Sequence, residues 1–177
     1  IECVPAYSSL TVFYNPGALV KEIRNRETIS DIVKEKLEDI LERESNFSPE
    51  KPRTVKVPVC YDEIFGTDIK QIKQEKKISR QDIIKLHTSV EYRVYMLGFL
   101  PGFAYMGEID KTLIMPRKPV PQKVQAGSVA VVGSQTGIYP INSPGGWHII
   151  GRTPLKLYTM EGEAFSTFFQ PGDIVQF

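Results

Sequence analysis

Between Gly98 and Pro154 short apolar runs are interrupted by glycine and proline at intervals of about eight to twelve residues, the spacing of brief strands joined by tight turns. The stretch reads Gly98-Phe99-Leu100-Pro101-Gly102-Phe103-Ala104-Tyr105, Pro116-Arg117-Lys118, Gly127-Ser128-Val129, Gly137-Ile138-Tyr139-Pro140, Pro144-Gly145-Gly146-Trp147-His148 and Gly151-Arg152-Thr153-Pro154. Glycine permits positive φ and close backbone approach, whereas proline fixes φ and removes a donor, so together they stiffen the chain's path. The pattern predicts a compact β-barrel or sandwich, with Gly98, Pro101, Gly102, Gly127, Gly137, Pro140, Pro144, Gly145 and Gly146 as its structural turns.

Aromatic side chains stand beside these corners: Phe99, Phe103, Tyr105, Tyr139 and Trp147. Rigid loops carrying aromatics and a few polar groups form either a stiff barrel end or a binding surface. The binding reading is an aromatic and cationic rim. Arg117, braced by Pro116, can hold a carboxylate or phosphate with two parallel bonds. Lys118, Lys123 and Arg152 either extend that positive surface or are solvated. Trp147, between glycine and histidine, is a core plug or a ligand-stacking wall. His148 is a strand-entry residue or a site residue.

The flanking sequence predicts the following elements. Val4 to Tyr14 reads as a strand ending at the turn Asn15-Pro16-Gly17, and Ala18 to Arg26 as a helix or irregular segment. Ile29, Ile32, Val33, Leu37, Ile40 and Leu41 recur at spacings of three and four, placing one apolar face on a helix from Ile29 to Arg43. Thr28 with Asp31 forms a capping-box variant at its start. Arg53 to Tyr61 alternates as a strand, with Pro58 marking an edge or bulge. Thr67 to Lys77 and a segment opened by Ser79 are short helices, and His87 sits at the end of the second, where it can cap carbonyls. Further strands are expected from Tyr92, at Ser128–Val132, His148–Arg152, Pro154–Tyr158 and Asp173–Phe177. This divides the chain into an α/β half, residues 1–88, and a β-rich half, residues 89–177.

Net charge is close to zero, with 22 basic and 21 acidic residues, which argues against nucleic-acid binding by bulk electrostatics. No run approaches the roughly eighteen apolar residues of a membrane-spanning helix, so no membrane partner is expected and a cytoplasmic protein is. Cys3 and Cys60 are too few for a disulfide scaffold or Cys-x-x-Cys metal site and are expected as buried free thiols, a neighbouring pair being the alternative. There is no phosphate loop, no Gly-x-Ser-x-Gly elbow and no His-Glu-x-x-His. With only His87 and His148, no metal site is expected. Ser128 and Ser143 lack any adjacent base, so the catalytic residue is unassigned.

The six ordered motifs, with Val4-Pro5-Ala6-Tyr7-Ser8-Ser9-Leu10 before them and Pro171-Gly172-Asp173-Ile174-Val175 after, resemble the 5-oxoprolinase B-subunit (PxpB) family, also called the KipI or allophanate hydrolase subunit 1 family. Pro121-Gln122 replaces the family's second Pro-Arg pair, and Val124-Gln125-Ala126-Gly127-Ser128 replaces Val-Pro-Ala-Gly-Ser. The chain begins at Ile1, where the family has already passed a first strand and helix, so a trimmed start is expected. The resemblance implies an α+β protein with a small N-terminal α/β domain and a C-terminal cyclophilin-like β-barrel. It leaves room for an interdomain role of His87. It implies an ATP-dependent opening of 5-oxo-L-proline to L-glutamate together with A-type and C-type partner subunits, in which phosphorylating the lactam oxygen would overcome amide resonance and ATP would be handled by the complex. Phe99, Phe103, Tyr105, Arg117, Gln135, Tyr139, Trp147, His148 and Arg152 are then the substrate- or partner-binding candidates. Other activities in the same family are inhibition of a sensor histidine kinase and biotin-linked carboxyl transfer of the urea carboxylase type. A prolyl isomerase is not expected, because fold does not carry function.

Overall fold

The computed structural model describes residues 2–22, 28–43, 51–162 and 164–177 and resolves into two compact units, Ile1–Lys51 and Pro52–Phe177. In the first unit, strands β1 (Glu2–Pro5) and β2 (Leu10–Phe13) pair antiparallel as a hairpin, Cys3 opposite Val12. The single strand expected over Val4–Tyr14 is thus two, because Ala6 N–H bonds back to the Ser9 carbonyl and closes a turn. Asn15 does not end a strand in a simple turn; its side chain accepts from Gly17 N–H and caps the short helix α1 (Pro16–Leu19), which continues as a 3-10 turn at Val20–Glu22. The rest of the expected segment, residues 23–26, lies outside the described residues. Helix α2 spans Ile29–Arg43 as predicted. Thr28 and Asp31 form the reciprocal cap, the Asp31 carboxylate accepting from Thr28 N–H at 2.9 Å and Thr28 Oγ1 accepting from Asp31 N–H at 3.2 Å. Among the described residues its apolar face is buried at Ile32 and Val33 and half-buried at Ile29 and Leu37, while Ile40 and Leu41 are exposed.

The second unit begins with β3 (Thr54–Lys56), shorter than the predicted strand because Pro58 cannot extend a ladder. Helices α3 (Ile69–Lys76) and α4 (Arg80–Thr88) follow, the latter opened by a capping box between Ser79 and Asp82. Then come β4 (Tyr92–Leu97), β5 (Ala104–Gly107), β6 (Gln122–Val124), β7 (Ser128–Val132), β8 (Gln135–Ile138), β9 (Ser143–Gly145), β10 (His148–Arg152), β11 (Tyr158–Glu161), β12 (Ala164–Thr167) and β13 (Ile174–Gln176). Seven strands form one sheet in the order β10-β7-β8-β5-β4-β13-β3, antiparallel except for the β13–β3 pair at the edge. The pairs β6–β9 and β11–β12 are separate ribbons. Residues 154–157, expected as a strand, are not one; β11 starts at Tyr158. The protein is therefore α+β.

Gly137, Pro144 and Gly145, expected at turns, lie inside β8 and β9 instead. Gly102 and Gly127 do turn, each with φ +81°. The expected boundary near residue 88 falls inside the second unit, because α3 and α4 bury Ile69, Ile72 and Ile83 in the core of the seven-stranded sheet. Arg53 clamps the β3 edge, its guanidinium donating to both Asp173 oxygens and to the Phe168 carbonyl. Cys3 and Cys60 are both exposed, contrary to expectation, and neither is in a disulfide. Cys60 lies in an isolated bridge to Arg152 beyond the end of β3, where Val57, Val59 and Tyr61 face the core and Cys60, alternating with them, faces outward.

His87 does not cap helix carbonyls; it is fully buried. Thr136 Oγ1 donates to the Ala130 carbonyl at 3.0 Å, so it can only accept from His87 Nε2–H, also at 3.0 Å. Nδ1 is then the acceptor for Tyr61 O–H at 2.7 Å. The ring stacks on Tyr92 and lies against Phe177. Burial without a carboxylate holds this imidazole neutral and pushes its pKa down to about 3. The unfolded chain therefore takes up a proton near pH 6.5 that the folded chain refuses. Stability is full above that pH and falls as pH drops toward 3, by at most about 1.4 kcal/mol per pH unit. Urea unfolding at pH 5 and pH 7 should differ by about 2 kcal/mol, and His87→Gln should be less stable at pH 7 but lose most of that difference.

Candidate functional site

The aromatics of the central stretch pack on one another because two glycines, Gly137 and Gly145, leave room for them. The β4–β5 connection is a tight turn: Gly98 N–H bonds to the Phe103 carbonyl and Phe103 N–H to the Leu100 carbonyl. Within it Phe99 is held at φ 68°, a conformation costly for a bulky side chain, at about 1–3 kcal/mol, and its ring is 59% exposed. Its edge meets Phe103, whose ring contacts Tyr105, Tyr139 and Trp147 with centroids 4.9 to 5.4 Å away. A Cβ at Gly137 would stand 3.0 Å from Phe103 and 3.1 Å from Trp147. Only glycine lets β8 pass beneath these rings.

Between the rings is a cavity of about 140 Å³, walled by Phe99, Phe103, Tyr105, Tyr139 and Trp147 together with Val132, Gln135 and Arg117. Seven of the nine residues proposed from the sequence thus meet around one opening. Phe103, Tyr139 and Trp147 are buried, Tyr105 is half-buried and only Phe99 projects, so the aromatics form the walls of a small cavity, with Val124, Ala130 and Ile149 behind them, and not an open rim. Burial raises the Tyr105 and Tyr139 hydroxyls above the ordinary phenol range, and the nearby Arg117 charge opposes the rise in both. They are neutral hydrogen-bonding groups at physiological pH.

Arg117 owes its place to clamps on both neighbours. His148, buried at the start of β10, donates from Nε2 to the Pro116 carbonyl at 2.8 Å. On the other side Lys118 N–H bonds to the Gly146 carbonyl, while Lys118 Nζ reaches Asp68 at 2.6 Å and Gln122 at 2.9 Å. The same Asp68 oxygen accepts from Ile149 N–H at 2.6 Å. A Cβ at Gly146 would come within 3.0 Å of Arg117 Nε. Lys118 is thereby consumed in a nearly buried ion pair and adds nothing to a positive surface. His148 supports the cavity without lining it. Arg152 is elsewhere, donating to the Ala126 carbonyl and to Gln125. Sequence reasoning missed Asp68, whose only local signal was its place at the N-cap of a short polar helix. Among the described residues no group of histidine, cysteine and acidic side chains could hold a metal ion, and no helix is long and apolar enough to cross a membrane.

The profile of the carboxyltransferase domain, subdomains C and D, matches residues 1–168. A protein named as the 5-oxoprolinase B subunit from Bacillus subtilis is 42% identical over 183 residues, covering all of this chain and 74% of its own length. The chain belongs to the 5-oxoprolinase B-subunit family. Another family member by name, from Escherichia coli O157:H7, is 35% identical across the whole chain, which covers 77% of it. Among solved structures, TTHA0988 superposes with a TM-score of 0.73 at 35% identity, with 99% of this chain covered; the chain spans only 31% of that longer protein. Kluyveromyces lactis urea amidolyase shares the fold, with a TM-score of 0.58 at 18% identity, over 81% of this chain and 11% of its own.

Asp68 is the group whose loss should disturb this family member's cavity most from a distance. Removing it strands Lys118 and the Ile149 amide, which costs about 3–5 kcal/mol for a broken buried pair. Asp68→Ala should show that loss in chemical unfolding, and the double variant Asp68→Ala with Lys118→Met should recover a good part of it, since no unpaired charge then remains.

Proposed function

We propose that this chain acts as the B component of an ATP-dependent 5-oxoprolinase, opening 5-oxo-L-proline to L-glutamate together with A-type and C-type partner subunits. The observation that carries the reading is the aromatic cavity with Arg117 and Gln135 on its wall. At about 140 Å³ it is smaller than the roughly 300–1,000 Å³ of sites for drug-sized ligands. It suits a single small ring and does not fit a nucleotide. A five-membered lactam offers apolar ring faces to Phe103, Tyr139 and Trp147, and a carboxylate that a guanidinium holds with two bonds. The side-chain amide of Gln135 has both a donor and an acceptor, the complement of a lactam N–H and C=O. Two relatives bearing the 5-oxoprolinase name at 42% and 35% identity favour this reading over carboxyl transfer, for which the urea amidolyase likeness speaks through the fold alone. In this reading the seven-stranded sheet with its ribbons is the cyclophilin-like barrel that carries the cavity, and ATP is bound outside it.

Trp147 is the only tryptophan and walls the cavity, so its fluorescence reports occupancy in the chain alone. It should change on titration with 5-oxoproline and not with ATP. Co-expression with candidate A-type and C-type partners should give ATP-dependent release of glutamate. Arg117→Met should raise KM roughly ten- to hundred-fold, matching about 1.5–3 kcal/mol for charge-assisted hydrogen bonds, with a smaller effect on kcat. An assembled complex with no glutamate release removes the proposed reaction, and an active complex with unchanged KM in Arg117→Met removes the proposed site.

A further inference from the structure

The second unit carries another concavity that the aromatic cavity does not share. Two openings of about 590 Å³ and 510 Å³ adjoin at Pro140 and Lys156. One wall is the continuous run from Arg152 to Met160, which leaves strand β10 at Arg152, bends at Leu157 and enters β11 at Tyr158. Phe65, Leu155 and Met160 supply its accessible apolar side chains, Met160 being 59% exposed, with the buried Pro140 and Leu157 at its floor.

Its charge is of one sign. Arg152 is fixed by neutral acceptors, Nε on the Ala126 carbonyl at 2.9 Å and Nη1 on Gln125 at 2.7 Å, with its guanidinium 6.0 Å from the centre of the Phe65 ring. Arg53 and Lys118 have carboxylate partners. Among the described residues neither Arg152 nor Lys156 has one, and no carboxylate lines either opening. A preorganised, unneutralised guanidinium beside a second cation is complementary to an anionic partner. Among the described residues the ribbon strand β11 is paired with β12 alone, so it has a further edge on which an extended chain could pair.

We propose that this groove receives an extended, carboxylate-bearing segment of a partner polypeptide, with apolar side chains against Leu155–Met160 and carboxylates on Arg152 and Lys156. Two openings in series with cations at Arg152 and Lys156, beside the further edge of β11, suit an extended segment of alternating acidic and aliphatic residues. The inference does not depend on the 5-oxoprolinase reading.

Cys60 lines the groove and is exposed, while the equally exposed Cys3 lies in the other unit and serves as an internal control. Two fluorescein-labelled nonapeptides with the same alternating valines, one with glutamate and one with lysine between them, are titrated against the full chain. The acidic peptide should bind at least about ten-fold more tightly than the basic one and weaken as salt is raised. It should slow alkylation of Cys60 and leave Cys3 unchanged. Lys156→Glu and Met160→Asp, both at exposed positions, should each weaken it roughly ten-fold. Equal or absent binding of the two peptides overturns the proposal, as does binding that neither substitution affects. Protection of Cys60 by free glutarate at the same concentration, or by self-association of the chain, also overturns it, in favour of a small dicarboxylate or a second copy.

Discussion

One carboxylate ties together the parts on which the second unit's chemistry depends. Asp68 stands at the start of α3, accepts the Ile149 amide of β10 and the Lys118 ammonium through the same oxygen, and donates its own N–H to the Ile149 carbonyl. Helix, sheet edge and loop therefore meet at one nearly buried atom. An ion pair in such a place gains its worth from geometry, since the desolvation of both charges offsets much of their attraction. What it secures here is register. With Lys118 fastened and the Pro116 carbonyl held by His148, the backbone of Arg117 is fixed from both sides at the edge of the aromatic cavity.

The cavity itself follows from an exchange of side-chain volume between neighbouring strands. Gly137, Gly145 and Gly146 give up their Cβ positions to Phe103 and Trp147, Tyr139, and Arg117 respectively. Large rings on one strand need small residues on the next, because interiors are close-packed and a single extra carbon must displace something. The rings meet edge to face, the arrangement their quadrupoles favour, and this leaves a small gap instead of closing completely. Buried walls with one projecting ring, Phe99, explain how residues that are core by burial can also bound a site.

Legibility in the sequence tracked how local each signal was. Helix α2, with its Thr28–Asp31 cap, and strands β7 and β10 lie where periodicity and punctuation put them, since each is governed by its own residues. Strands β5, β6, β8, β9, β11 and β12 escaped notice because pieces of three or four residues, such as Gln135–Ile138, are too short to show an alternation; pairing with a neighbouring strand is what defines them. His87 looked like a helix cap from its position and is instead the centre of a buried chain of hydrogen bonds to Tyr61 and Thr136, residues 26 and 49 positions away. The exposure of Ile40 and Leu41 on an otherwise well-formed amphipathic pattern shows the converse, a face readable in the sequence whose covering the described residues do not supply.

Grouping Arg117 with Arg152 by their glycine- and proline-rich surroundings was natural, yet the two guanidiniums serve different enclosures. Arg117, itself exposed, borders the mouth of a small cavity with neutral tyrosines, where a guanidinium can hold one anion with two hydrogen bonds. Arg152 lies in a long, open groove with Lys156, where solvent screens each charge and several weak contacts must act together. The first geometry selects for a small rigid ligand through shape and pairing; the second tolerates variation and gains by length. One unit, Pro52 to Phe177, thus carries two enclosures that do not share a cation, so a ligand held at Arg117 would leave Arg152 open to a second one.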